Sequence, residues 1–178
     1  MLLLLPALAF AQRHRDPLTQ PEIDQVRDTS WEPKLRLPLY VQFARARLIK
    51  LEEVRSDAKA AKDRAKQTHD LLDDFQLLYD ELNDNIDTYV ERKNDIRKPL
   101  KIILEADTEF QAKLRALKDA ADVPRAEAQQ YAFVLDNAIE TVDSSTDDHR
   151  KLLADQEELA KHKKLIKDPS KGTGVSPE

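Results

Sequence analysis

The side chains best suited to metal or proton chemistry in this sequence are four histidines, His14, His69, His149 and His162. His149 lies on the helical phase of Val142, Leu152 and Leu153, so a helix through it can turn the imidazole toward a core. A metal or haem inside a helical bundle needs inward-facing ligands on at least two helices. His69 and His149 are the pair that could supply them, as two axial imidazoles. Met1 is the one methionine, which excludes a His/Met haem in a chain that has lost its first residues. The residues three before His69, His149 and His162 are Lys66, Thr146 and Leu159, so the Glu-x-x-His element of di-iron bundles is absent. Taken alone, His149 reads as a partly buried structural residue, and no cofactor is expected.

Carboxylates form a second constellation. Asp80, Asp84, Asp87 and Glu91 recur at steps of four, three and four and share one helix face. Their oxygens suit a divalent cation, but a straight helix sets carboxylates in a row and does not wrap them round an ion, as a glycine-containing EF-hand loop does. The face is read as solvated or ion-paired. Arg55, Lys59, Lys62 and Lys66 form a cationic stripe of the same periodicity. It could contact an anionic polymer, a lipid headgroup or a partner. It could equally pair with the acidic stretch that follows, since residues 37–67 carry eight basic and four acidic groups and residues 68–98 four and nine. No Gly-x-Ser-x-Gly elbow is present to expose a serine nucleophile.

Composition removes other chemistries. The only glycines are Gly172 and Gly174, near the end of the 178-residue chain. Phosphate-cradling loops and dinucleotide folds need glycine earlier, and so do β-hairpin turns with positive φ. Zero cysteines exclude thiolate metal sites, cysteine nucleophiles and disulfides. A net charge of −5 gives no general affinity for nucleic acid.

The elements that must position these residues are helical, given 35% charged residues and a preponderance of Ala, Leu, Lys, Arg, Glu and Gln. Thr19, Pro21 and Glu22 read as a capped start for a short helix over 20–30. Trp31 to Pro38 reads as a connector whose tryptophan plugs one end of the core. Apolar stripes follow at Val41, Ala44, Leu48, Leu51 and Val54, then at Leu72, Phe75, Leu78, Leu82, Ile86 and Tyr89. Between them, residues 55–70 hold no apolar side chain larger than alanine, which reads as a solvated hairpin tip or as the thin middle of one very long helix; the hairpin, reversing near Gln67-Thr68-His69, is favoured. Antiparallel pairing would then set Lys66 near Asp70, Lys62 near Asp74 and Arg55 near Glu81. Pro99 reads as a kink in a helix that continues through Phe110 to Ala121, and Asp122-Val123-Pro124 as a reversal. A last helix over 124–166 runs unbroken through the weak helix formers of 144–148. Phe75, Leu82, Ile86, Phe110, Leu135 and Leu152 are the expected core. The expected fold is all-α, an elongated antiparallel bundle of three to five helices with coiled-coil-like packing.

Residues 2–11 are uncharged and end in Ala9-Phe10-Ala11, which reads as a signal peptide cut before Gln12. The expected organisation is therefore signal 1–11, N-terminal segment 12–38, bundle 39–166 and disordered tail 167–178, with no later transmembrane segment. Leu18-Thr19-Gln20-Pro21-Glu22 resembles, over five residues, the Leu-Thr-x-x-Gln signature of small helical periplasmic chaperones and metal-stress proteins; the capping box accounts for the same letters, and no family is assigned. The expected function is non-catalytic: a periplasmic or secreted scaffold or interaction module of the cell envelope, whose partner is another protein. A periplasmic holdase and a metal- or haem-carrying bundle are the alternatives.

Overall fold

The computed structural model describes residues 16–57, 59, 62–120 and 123–167. Six helices and no strand occur among them: α1 (Gln20–Asp28), α2 (Pro33–Ser56), α3 (Arg64–Glu91), α4 (Arg97–Lys118), α5 (Arg125–Ala128) and α6 (Ala132–Lys167). The fold is all-α, and the four long helices make the bundle. The expected signal segment, His14 and residues 168–178 of the expected tail lie outside the described residues.

Two antiparallel hairpins, α2–α3 and α4–α6, pack side by side, with α2 beside α4 and α3 beside α6. The side chains that meet confirm the directions. Arg45 of α2 reaches Glu109 of α4 at 2.8 Å, and further along both helices Glu52 meets Lys113, so these two run parallel. On α4 and α6, by contrast, Lys118 pairs with Asp136 and Lys101 with Glu157, the order of an antiparallel pair. α3 and α4 stand diagonally and meet only through long side chains in the middle. There Phe75 and Phe110 cross edge to face at 5.3 Å, and Phe75 stacks on Tyr79 at 5.8 Å. Phe75, Leu82, Ile86, Phe110 and Leu135 are buried as expected, while Leu152 is only half-buried, because α6 is running out of neighbours there.

The hairpin between α2 and α3 is present, but the reversal lies between Ser56 and Arg64, ahead of Gln67-Thr68-His69, which are already helical. Asp57 stops α2 with extended backbone, and its carboxylate accepts the Lys59 N–H at 2.8 Å, an Asx turn. Three further boundaries differ from expectation. Residues 33–38 are helix: Pro33 occupies the first position of α2, where its missing N–H costs nothing, and Pro38 is carried inside. Pro99 marks no kink. It sits in the first turn of α4, and the chain reverses just before it. α3 ends in a Schellman motif in which Lys93 N–H donates to Val90 O at 2.8 Å and Asn94 N–H to Tyr89 O at 2.9 Å. Lys93 holds the left-handed position at φ 58°, where glycine normally sits. Beyond the Val123-Pro124 reversal, α5 is a single turn and α6 starts only at Ala132, then runs unbroken through 144–148 as expected.

α1 begins as its sequence indicates. Thr19 N–H donates to the Glu22 carboxylate at 2.7 Å, closing the capping box. None of its residues is buried, so it depends on a polar clamp. Arg47 of α2 donates to both Glu22 oxygens, at 2.6 and 2.8 Å, and to the Pro17 carbonyl at 2.6 Å. Burial works against ionisation of Glu22, but the hydrogen bonds from Arg47 and Thr19 outweigh it and hold the carboxyl below its usual 4.5.

Two outcomes follow from these ends. Glycine relieves the backbone strain at Lys93, so Lys93→Gly stabilises the protein by up to about 1 kcal/mol in urea melts. A carboxyl held below its unfolded value stabilises the docked helix above that value and loses the contribution as pH falls. Between about pH 5 and about pH 3, amides of α1 should therefore lose hydrogen-exchange protection before those of α3. Equal loss in both helices would contradict the clamp.

Candidate functional site

His149 turns inward from α6 and is buried, with 4% of its surface exposed, deeper than the partial burial expected. Its Nδ1 lies 2.9 Å from Oδ2 of Asp107 on α4, a carboxylate with no exposure at all. The other Asp107 oxygen accepts the Tyr79 hydroxyl from α3 at 2.7 Å. On its far side His149 Nε2 is 3.2 Å from the Asn83 carbonyl oxygen, and the Asn83 amide donates to Ser145 Oγ at 2.9 Å. Both ring nitrogens thus have a hydrogen-bonding neighbour, the carboxylate on one side and the Asn83 side-chain amide on the other. Burial, reinforced by the Asp107 carboxylate, pushes the Tyr79 phenol far above its usual range. A second layer continues the network on α4 and α6, where Gln111 donates to Asp143 at 2.9 Å and to Thr146 at 3.2 Å.

Asp107, Tyr79, Asn83 and Ser145 were not singled out by sequence. A signal did exist for Asp107. It falls on the stripe of Ile103, Phe110, Leu114 and Leu117, as His149 falls on that of Leu135, Ala138 and Val142. One buried acid and one buried histidine on facing stripes are complementary only if register brings them level, and register is a tertiary property.

The chemistry open to this cluster is narrow. A shallow pocket of about 290 Å³ reaches His149 between Asn83, Asp87, Ser145 and Asp148. The Asp–His–Ser composition is that of a hydrolytic triad, but here Asn83 takes both the outer histidine nitrogen and the serine oxygen. The neighbouring backbone N–H groups are consumed within α6, so none is aimed as an oxyanion donor. His69 does not join the cluster. It lies fourteen residues before Asn83 on α3, about 21 Å along the helix axis. There it sits half-exposed, 3.8 Å from Asp70. The expected bis-His pairing is therefore not assembled, because the two rings stand at different levels of the bundle. Among the described residues, no three His, Cys, Asp or Glu side chains gather as a metal would need.

The cationic stripe is dispersed. Arg55 points to Tyr131, donating to its hydroxyl at 3.2 Å, and lies 3.9 Å from Glu127. Arg64 grips the same glutamate with two bonds of 2.7 and 2.8 Å, and these hold the Glu127 carboxyl below its usual range. Lys66 pairs within its own helix, with Asp70 at 2.6 Å. Lys59 and Lys62 are exposed at the tip and make no ion pair among the described residues. The expected pairing with Glu81 and Asp74 fails because the turn comes earlier than Gln67 and α5 reaches the tip first.

The opposite end of the bundle is the more open one. Trp31, expected to plug the core, is 82% exposed, with the Arg92 guanidinium 5.6 Å from its ring centroid. Leu37, Tyr89 and Ile96 fill the space instead, and the Tyr89 hydroxyl donates to Ser30 O at 3.2 Å. Gln156 of α6 ties down the α3–α4 loop, accepting from Ile96 N–H at 3.0 Å and donating to Asn94 O at 3.2 Å. Beyond that anchor α6 runs on past the start of α4. The overhang leaves a groove of about 640 Å³ with Val90, Leu152, Leu159 and Ala160 along it.

Leaving a buried hydrogen-bonding group without its partner costs about 1–3 kcal/mol, and more when that group is charged. Asp107→Leu and His149→Leu should each fall in that range, comparable with the cavity cost of about 2–5 kcal/mol for Leu82→Ala. The double variant should cost less than the sum, by about 0.5–3 kcal/mol. Strict additivity in urea melts would show the two side chains to be uncoupled.

No protein-family model, curated protein or solved structure matches the chain, so a functional reading rests on this geometry.

Proposed function

We propose that the chain acts by contact and not by catalysis, as an exported scaffold or protein–protein interaction module of the cell envelope, in the periplasm or secreted. One observation carries the reading. The side chains able to do chemistry are engaged in holding helices together, His149 with Asp107 inside and Arg64 with Glu127 at the tip, while the apolar groove beside the α6 overhang stays open. The uncharged run 2–11 with its Ala9-Phe10-Ala11 ending supports export. No helix among the described residues is long and apolar enough to cross a membrane. A holdase is the second reading. It is favoured by the same concave groove and by Leu159, which is 61% exposed on its rim.

Expressed from its native start, the product should be recovered outside the cytoplasmic membrane with Gln12 as its first residue. An intact mass that retains Met1 would remove the export reading. A photocrosslinking side chain at Leu159 should give one discrete adduct with an envelope protein, and the same group at exposed Gln42 should give none. A broad smear of adducts, together with suppressed aggregation of an unfolding client, would favour the holdase. Absence of any adduct at Leu159 would count against both.

A further inference from the structure

The end of the bundle that displays Trp31 combines two properties, basic charge and exposed apolar surface. The first is charge. Residues 31–36 and 91–101 carry seven basic and three acidic side chains, in a chain whose net charge is −5. Asp95 is committed to Arg97 and Glu157 to Lys101. Lys34, Lys93 and Lys98 are exposed and make no ion pair among the described residues.

The second property is apolar exposure. Leu35 and Ile102, 56% and 44% exposed, stand beside this end with Trp31. Parallel packing of α2 and α4 explains the juxtaposition. It sets their starts side by side, so that Lys34-Leu35 in the first turn of α2 and Lys101-Ile102 in the second turn of α4 present the same cation-then-apolar order from adjacent helices. Trp31, Lys34, Arg97, Lys98 and Lys101 line one open pocket of about 520 Å³ between those turns, with Glu32 as the acid there that is not held in an ion pair among the described residues.

We propose that this end of the bundle docks on the surface of an anionic lipid bilayer. Exposed tryptophan is the side chain that settles at the headgroup level, where its ring is apolar on one side and its N–H is wet. Lysine stems lie along apolar surface while their ammonium groups reach anionic phosphates, and such clusters draw a protein to a negatively charged leaflet. A soluble anion would be attracted to the lysines but would leave Trp31, Leu35 and Ile102 in water. Contact would be peripheral, by a rigid end of a folded bundle, and it does not depend on the export of the chain.

Trp31 is the sole tryptophan, so its fluorescence reports this end alone. The full chain is titrated with phosphatidylcholine vesicles, with or without about one third phosphatidylglycerol, and with the same lipids carrying brominated acyl chains. Docking predicts a blue shift and bromine quenching on the anionic vesicles only, weakening as salt is added. Lys34→Glu/Lys98→Glu should reduce apparent affinity by about tenfold or more, while Lys59→Glu/Lys62→Glu at the opposite tip should leave it unchanged. Helical circular dichroism confirms that both surface variants fold. The proposal is overturned if Trp31 does not respond, if neutral vesicles act equally, or if the Lys34/Lys98 variant still binds, which would place attachment elsewhere in the chain. A blue shift that follows protein concentration without vesicles would assign the surface to a second copy of the chain instead.

Discussion

The structure depends on one buried carboxylate. Asp107 has no exposure to water, and it persists inside the bundle because Tyr79 and His149 donate to its two oxygens from two other helices. An unpaired charge at that depth would cost several kcal/mol. The partners must therefore stay level with it, and this requirement fixes the axial register of α3, α4 and α6 at once. Hydrophobic stripes alone tolerate a slip by one heptad, because one leucine replaces another at little cost. A displaced Asp107 has no such substitute. The diagonal relation of α3 to α4 follows, since only the long Tyr79 side chain, with the Phe75–Phe110 contact beside it, spans that gap.

Around this centre the chain closes its ends without glycine. Lys93 takes the left-handed position of a Schellman motif, Asp57 makes an Asx turn, and Glu127 is gripped by Arg64 and approached by Arg55. Each device uses a polar side chain or a strained backbone where a glycine would be cheaper. The compensating gain is a tight reversal between successive helices. Charge has a similar division of labour. Pairs along the seams, such as Arg45 with Glu109, Arg115 with Asp143 and Lys113 with Glu52, join neighbouring helices. Each is worth under about 1 kcal/mol at such exposure, so they bias partner choice and do not hold the bundle.

The two ends are unlike each other in consequence. At the α2–α3 tip Glu127 binds Arg64 and lies near Arg55, while Lys59 and Lys62 stay exposed and a short helix packs against the last turns. At the other end α6 outlasts its neighbours, because 36 residues rise about 54 Å while α4 has only 22. That surplus, with Trp31 exposed beside it, gives the molecule a polarity along its axis that suits a spacer or scaffold holding two different surfaces apart.

Much of this was legible in the sequence. Glycine poverty and the steps of three and four along Leu72–Tyr89 determined an all-α chain, and Thr19 with Glu22 determined the start of α1, because capping is settled within one turn. The lack of apolar side chains larger than alanine over 55–70 favoured a reversal over one continuous helix, since no stripe could be buried there. What the sequence could not decide was where each reversal sits and what meets across it. Lys93 carries no mark of a left-handed residue; only the Schellman bonds to Tyr89 and Val90 reveal it, and Pro99 looks alike at a kink and in a first turn. Trp31 looked like a plug because aromatic surface favours burial, but Leu37, Tyr89 and Ile96 reach that space first. His149 and Asp107 were both visible as polar breaks in apolar stripes, forty-two residues apart. That they meet, while His69 does not reach them, is decided by the axial register of three helices, and register is set by which buried polar groups can satisfy one another in three dimensions.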